Sequence, residues 1–386
     1  MMGREVHSNH LASIERRSYG SASALRIVTP SITHQFVNVV ATSEGGFDAV
    51  LDDAAGFVRE AGTRIIAQDT LGSCEAYESG MHAIRHAFGG PSWPVTWIAG
   101  SGRQGQIISG TQLHAVASDN LAPVFLDGAV AGYVFGDADA RQCILGNVGP
   151  RSVTESREAQ ARQVFERIEQ ALAAAGMTFS NVVRTWMYIS RIPEWYGQFN
   201  DVRTQFFRER HVFDGIVPPS TGVGVDNPAG AALIADVLAI QPRTDRVCIE
   251  AVPSPLQCPA LDYKSSFGRA AEVVFPSHRV LYVSGTASID SAGKSAYVGD
   301  IHKQIQLTMD VVHAILQSRK MEWGDSARAV AYFKDIDDTG VFGDFCRNNG
   351  LAELPVVPAH ADICRDDLLF EFEVDAVKLG TEGARK

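Results

Sequence analysis

A row of carboxylates alternates along one short segment. From Leu368, the residues Leu368, Phe370, Phe372 and Val374 fall on one face of an expected strand, and Glu371, Glu373 and Asp375 on the other. Such a row is ordinarily a solvated strand face. In a closed site, one of these carboxyls would instead keep its proton and serve as a general acid. Cys364 lies in the turn before this strand, either as a small buried hydrophobe or as a thiol beside the reacting group. Arg184 and Arg269 stand in otherwise apolar, strand-like surroundings. A planar guanidinium there reads as a surface or ion-paired group, or as a bidentate clamp for a substrate carboxylate. Tyr188 and Tyr263 would add phenolic hydrogen bonds, or simply pack. The run Gly100-Ser101-Gly102-Arg103-Gln104-Gly105 spells GxGxxG, but Gln106 to Gly110 does not open a helix, so the nucleotide-binding context fails. His82 and His86 share a helix face without a third ligand in place, so no metal site is expected.

These residues sit within a helix-strand-helix pattern that occurs three times. In the first copy, Phe47, Val50, Leu51, Ala54, Phe57 and Val58 recur at helical spacing. Gly62, a strand near Ile65–Ala67 and a second helix over Cys74–Phe88 follow. The second copy has Ala161, Val164, Phe165, Ile168 and Leu172, then Gly176, a strand over Val182–Ile189 and a helix over Glu194–Phe207. The third has Ile301, Ile305, Met309, Val312 and Ile315, a strand over Ala327–Phe333 and a helix near Val341–Asn348. Pro-containing turns and strands close each copy. The expected fold class is α+β. Its units span 24–116, 117–242 and 243–380, the first truncated at its start, with residues 1–23 and 381–386 loose. Aligning the second copy on the third sets Ile234 opposite Glu371 and Asp236 opposite Glu373. A carboxyl replacing an apolar residue in one copy alone marks out one specialised cleft.

The composition narrows the partners. The chain has 386 residues and a net charge of −11, which disfavours nucleic acid and anionic membrane as partners. A small anionic substrate would need a local cationic pocket. No apolar run approaches a spanning helix, and residues 1–24 lack the apolar core of a signal peptide. Six scattered cysteines without a CxxC read as reduced thiols, so a cytoplasmic location is expected.

The repeat resembles the YjgF/Rid superfamily in Glu166–Gly176, Val183–Tyr188, Trp195–Phe207 and Pro218–Thr221, and again in Leu281–Thr286 and Ala327–Phe333. Subunits of that superfamily form trimers with ligand pockets at their clefts. Three copies in one chain imply an intramolecular pseudo-trimer, monomeric or further assembled as a homo-oligomer. More narrowly, the chain resembles the chorismatase family of tandem Rid-like enzymes over about residues 140–378. The matching stretches are Arg184–Ser190 (RTWMYIS), Thr221–Gly224 (TGVG), Phe267–Ala270 (FGRA), Leu281–Ser288 (LYVSGTAS) and His360–Glu373 (HADICRDDLLFEFE). Two stretches depart from the pattern. Tyr263–Ser266 stands where the family has Tyr-Gly-Pro, and Asp290–Lys294 where it has a Gly-His-rich stretch.

The resemblance implies cleavage of the enolpyruvyl ether of chorismate to pyruvate and a hydroxybenzoate, by a lyase or hydrolase without metal or organic cofactor. It makes Glu371 the general acid. It also places Cys364 and Gly285 with the branch that forms 3-hydroxybenzoate. Arg184 and Arg269 would hold carboxylates, while Tyr188, Tyr263, Gly285 and Thr286 shape the pocket. The alternatives are a Rid-like imine deaminase and a non-catalytic protein binding a small ligand or partner. The turns Pro358-Ala359-His360 and Pro219-Ser220-Thr221 lack the carboxylate-holding arginine of the deaminases.

Overall fold

Each amphipathic helix must bury its apolar stripe, and each finds a sheet of its own to cover. A computed structural model describes residues 3–9, 11–20, 22–41, 46–100 and 108–380. Most of the Gly100–Gly105 run and residues 381–386 lie outside the described residues.

Unit 1 comprises β1 (Gly3–Ser8), β2 (Ser13–Tyr19), β3 (Ala22–Val28), β4 (Ile32–Val40), α1 (Gly46–Ala61), β5 (Arg64–Gly72), α2 (Tyr77–Phe88), β6 (Val95–Ile98) and β7 (Ile108–Ser118). Unit 2 comprises β8 (Ala122–Leu126), β9 (Ala129–Gly136), β10 (Ala140–Val148), α3 (Arg157–Ala174), β11 (Val182–Ile189), α4 (Tyr196–Glu209), β12 (Ser220–Val223) and β13 (Leu233–Pro242). Unit 3 comprises β14 (Cys248–Val252), β15 (Ala270–Val274), β16 (His278–Ala287), α5 (Ile301–Ser318), β17 (Ser326–Phe333), α6 (Thr339–Asn348), β18 (Val356–His360) and β19 (Phe370–Leu379).

The three sheets share one topology. Their orders are β1-β2-β3-β4-β7-β5-β6, β8-β9-β10-β13-β11-β12 and β14-β15-β16-β19-β17-β18. Every pairing is antiparallel except the parallel edge pairs β5–β6, β11–β12 and β17–β18. Unit 1 is therefore not truncated. Residues 3–19, expected as a loose end, form β1 and β2 and make its sheet the widest.

Two of the helices, α3 and α5, start on side-chain caps, Ser156 accepting from the Ala159 amide and Asp300 from that of Lys303. Gly176, at φ +69°, takes the left-handed turn after α3. The stripe Ala161, Val164, Phe165, Ile168 and Leu172 then packs on the outer face of sheet 2, with Met187, Ile189 and Val237. In unit 3, α5 and α6 cover Ala329, Ala331, Phe333, Phe370, Phe372 and Val374 in the same way. The opposite faces meet in one central core. Ile27 of unit 1, Trp186 and Leu238 of unit 2, and Val280 and Val330 of unit 3 all belong to it, and no helical residue does. The molecule is a pseudo-trimer with sheets inside and helices outside.

The seam between units 2 and 3 is tight. The Gly224 amide donates to Asp362 O at 2.7 Å, and the Asp362 amide to Gly224 O at 2.9 Å. A Cβ at Gly224 would fall 2.4 Å from Ile192 Cγ2 and 2.6 Å from Asp362 Cβ. Gly56, inside α1, has nothing within 4 Å of such a Cβ. Gly224→Ala should cost about 1–3 kcal/mol by overpacking, whereas Gly56→Ala should be neutral or stabilise by up to about 1 kcal/mol through helix propensity. Urea unfolding of the two variants checks this. Equal effects would mean that the seam tolerates separation.

Candidate active site

The alternation of β19 survives folding, but its polar face does not meet water. Glu371, Glu373 and Asp375 are buried, at 4%, 1% and 4% exposure. They point into the space between the three sheets, while Phe370, Phe372 and Val374 face the helices. The solvated-face expectation fails because the second face of this sheet is covered by the other two units.

Glu373 is saturated. Its Oε2 accepts from Arg184 Nη2 (2.8 Å) and from the Thr221 hydroxyl, and its Oε1 from Arg328 Nη2 (3.0 Å) and Trp186 Nε1 (3.2 Å). Arg184 is wholly buried, and it also donates to Thr221 Oγ1 (2.6 Å) and Thr185 O (3.1 Å). This corrects the role expected of Arg184: its charge is spent on Glu373 inside the seam, so it is not a free clamp. Arg328 continues the network. It donates to Gln112 Oε1 of unit 1 (2.7 Å) and to Asp375 Oδ2 (3.2 Å).

Glu371 lies two residues away in a different environment. Its carboxyl has no hydrogen bond or ion pair to a described residue. Burial, reinforced by the Glu373 charge and only partly offset by Arg184 and Arg269, pushes its pKa up to about 8. At neutral pH it is a carboxylic acid. The irregular pairing of β16 between Val283 and Thr286 makes room for it. A Cβ at Gly285 would fall 1.9 Å from Glu371 Oε1 and 3.2 Å from Thr221 Cγ2. The missing side chain of Gly285 is thus the space that the carboxyl occupies. The Gly285 amide donates to Thr221 Oγ1 (3.0 Å), so unit 2 holds this bulge in place.

One cation near Glu371, Arg269, has no carboxylate partner among the described residues, and two more, Arg365 and Arg203, adjoin it through Tyr263 and Phe267. Arg269 is buried, and its Nε and Nη2 both donate to Cys258 O (3.1 and 2.9 Å). Its guanidinium lies over Tyr263 (5.5 Å) and Phe267 (5.6 Å). Arg365 lies over Tyr263 as well (5.0 Å) and donates to Gly293 O (2.9 Å). Arg203 of α4 is 2% exposed, bonded to Asn200 and packed over Phe199 (5.0 Å) and Phe267 (5.7 Å). Arg269, Arg365 and Arg203 form no ion pair among the described residues. Arg203 and its helix neighbour Tyr196 were missed in the sequence. The signal was an arginine four residues after Phe199 and three before Phe206, on the buried face of an amphipathic helix.

Cys364 packs between the central core and that of unit 2. Burial and the Glu371 charge push its thiol up to about 12, against the opposing pull of Arg365 and Arg269. It is a neutral thiol and not a nucleophile at pH 7. Tyr263 borders Arg269 and Arg365, and burial raises its hydroxyl. Two other expected residues lie elsewhere. Tyr188 is buried in the central core, where its hydroxyl responds to Asp69, Tyr332 and Asp236. Thr286 turns its hydroxyl back onto Ser284 O (3.0 Å).

Among the described residues, the other two seams lack this set. Strand register puts Ile234 opposite Tyr188 where Glu371 stands opposite Tyr332, and Thr111 opposite Thr70. Among the described residues, α4 is the one helix that buries an arginine. The cavity on the central axis, lined by His34, His114, Asp69 and Asp236, measures about 60 Å³. That is room for about two waters, too little for a ring-sized substrate.

The family model described as Endoribonuclease L-PSP matches residues 145–234. A 3-hydroxybenzoate synthase of Streptomyces hygroscopicus is 26% identical over 256 residues, 59% of this chain and 71% of that protein. The crystal structure of a chorismatase superposes with a TM-score of 0.62 over 90% of this chain and 98% of the other, at 17% identity, so the two share a fold. The chain thus has the fold of that chorismatase, matches the L-PSP family model over residues 145–234, and is similar in sequence to a 3-hydroxybenzoate synthase.

Proposed function

We propose that the chain cleaves the enolpyruvyl ether of chorismate at the seam of units 2 and 3, releasing pyruvate and 3-hydroxybenzoate. The observation that carries this is a buried, protonated Glu371 near Arg269, a guanidinium with no carboxylate of its own among the described residues. An enol ether is inert until its terminal methylene carbon gains a proton. A neutral carboxylic acid supplies that proton, and the resulting oxocarbenium ion is stabilised as Glu371 becomes an anion. The two carboxylates of chorismate need two cations, and Arg269 and Arg203 fit that need. The streptomycete relative's name supports the product, as does the pair Cys364 and Gly285.

Chorismate has the atoms of 3-hydroxybenzoate plus pyruvate, whereas the dihydroxycyclohexadiene carboxylate route adds one water. The first route therefore needs a site that withholds water from the cation. Tyr263 against Arg269 and Arg365, and the neutral thiol of Cys364, supply such walls.

Incubation with chorismate should release pyruvate, detected by a coupled dehydrogenase assay. Because Glu371 must be protonated, kcat should be flat below pH 8 and fall about tenfold per unit above it. Glu371→Gln should lose about 10²–10⁴-fold in kcat and the inflection with it. A variant with parental turnover would remove Glu371 from the mechanism.

The two classes of arginine should separate. Arg269→Gln and Arg203→Gln should each raise KM about tenfold or more, the worth of a charge-assisted hydrogen bond. Arg184→Met removes one of the two guanidiniums on the buried Glu373, Arg328 remaining, and should cost about 1–3 kcal/mol of stability. Denaturation paired with kinetics reads both effects, and a stable Arg184→Met variant with raised KM would return Arg184 to the substrate.

Cys364→Ala should keep kcat within about tenfold, since no thiolate is lost. Product should shift toward the dihydroxycyclohexadiene carboxylate, further still with Gly285→Ala, which displaces the Glu371 carboxyl. Chromatography of the products decides, and an unchanged ratio would reduce Cys364 to packing.

A further inference from the structure

Arg269 enters the candidate site in one orientation, and what fixes that orientation lies outside the site. A guanidinium carries five N–H donors. The Nε donor and one of the two on Nη2 go to Cys258 O, at 3.1 and 2.9 Å. Those are the only hydrogen bonds of this guanidinium among the described residues. The three donors left, two on Nη1 and one on Nη2, lie along the edge that can hold a carboxylate with two bonds. One backbone carbonyl therefore decides where that edge points.

Cys258 belongs to the segment between β14 and the short turn at Ala260–Tyr263, not to a strand, so its carbonyl needs an anchor. Gln257 supplies one. Its side chain is buried, and its Nε2 donates to Ala287 O and Ile289 O, both at 2.9 Å. Ala287 ends β16 and is the register partner of Glu371. One side chain thus ties the loop that aims Arg269 to the strand position paired with the acid. Ala287 O also accepts from the Ile289 amide (2.8 Å), so that carbonyl does not need the glutamine; what the glutamine adds is the tie. Gly293, at φ +78°, backs the same loop. A Cβ there would fall 3.3 Å from Cys258 Sγ and 3.0 Å from Tyr263 Cδ1.

We propose that Gln257 is a positioning residue, which holds the free edge of Arg269 in a fixed relation to Glu371 through the Cys258 carbonyl. This rests on the reading of Arg269 as a substrate clamp. Gln257→Met keeps the length of the side chain and loses both bonds. With chorismate, kcat/KM should fall about tenfold, the loss expected when a charge-assisted bond is misdirected. In an Arg269→Gln background the same change should cost less than about twofold, because the group it acts through is gone. Equal losses in the two backgrounds would make Gln257 structural and overturn the proposal. A second measurement needs no substrate. In NMR spectra the Arg269 Nε–H, assigned by its loss in Arg269→Gln, should exchange with water about tenfold or more faster in Gln257→Met. Unchanged exchange would overturn the proposal as well. If the parent does not cleave chorismate, the proposed activity falls, and the exchange measurement still decides the role of Gln257. Should Gln257→Met fail to fold, Ser254→Ala removes the hydroxyl that accepts from the Leu256 and Gln257 amides and loosens the same loop. It should speed the same exchange, and unchanged exchange there would count equally against the proposal.

Discussion

The bonds to the Glu373 carboxylate govern both the assembly and the chemistry. Four donors converge on it, from Arg184, Trp186 and Thr221 of unit 2 and Arg328 of unit 3. Through Arg328 the network reaches Gln112, and through Gln112 Asn38, both of unit 1. A buried ion pair of this kind adds little net stability over an apolar replacement, but losing one partner is costly. Its effect is therefore on register. A slip of β19 by one residue would turn Glu373 toward the α5 and α6 core and leave Arg184 and Arg328 desolvated and unpaired. The three sheets can meet in one alignment at low cost.

That same constraint sets the charge state next door. Arg184 would hold Glu371 ionised if it were free, but it is bonded to Glu373. Glu371 is left with the negative field of its neighbour, only partly offset by Arg184 and Arg269, and with no hydrogen bond among the described residues. Two glutamates on one strand face, two residues apart, thereby take opposite roles. One is a structural anion and the other a neutral acid, and the difference lies in which of them the unit 2 donors reach.

Much of this was legible in the chain. The helical stripes, the strand at Val182–Ile189 and the copy alignment of Ile234 with Glu371 all reappear in the strand registers. The alternation of β19 named the residues of the polar face but not the medium it faces, because that depends on two other sheets. The partner of Arg184 lies 189 residues away, so no local pattern separates it from Arg269. The edge strand β1 and its neighbour β2 escaped notice because their sequences carry few apolar residues. In β2, Ile14 alone is buried, and one residue does not make a period. Arg203 was hidden differently, since a cation inside a helical apolar stripe reads as a break in the pattern rather than as its point.

Gly285 joins fold to selectivity more closely than a pocket-lining role would require. Its Cβ position is already filled by Glu371 Oε1, so the residue does not leave room for a substrate; it leaves room for the acid. Thr221 pins the same bulge from unit 2 while bonded to Glu373. The Glu371 carboxyl is thus located by backbone and by a neighbouring unit, not by bonds to its own oxygens among the described residues. A carboxyl held that way can hand over its proton without first breaking a hydrogen bond, and it can turn toward a carbon atom, which accepts no hydrogen bond in the ground state. Protonation at carbon, rather than at an ether oxygen, is the step that such a placement favours.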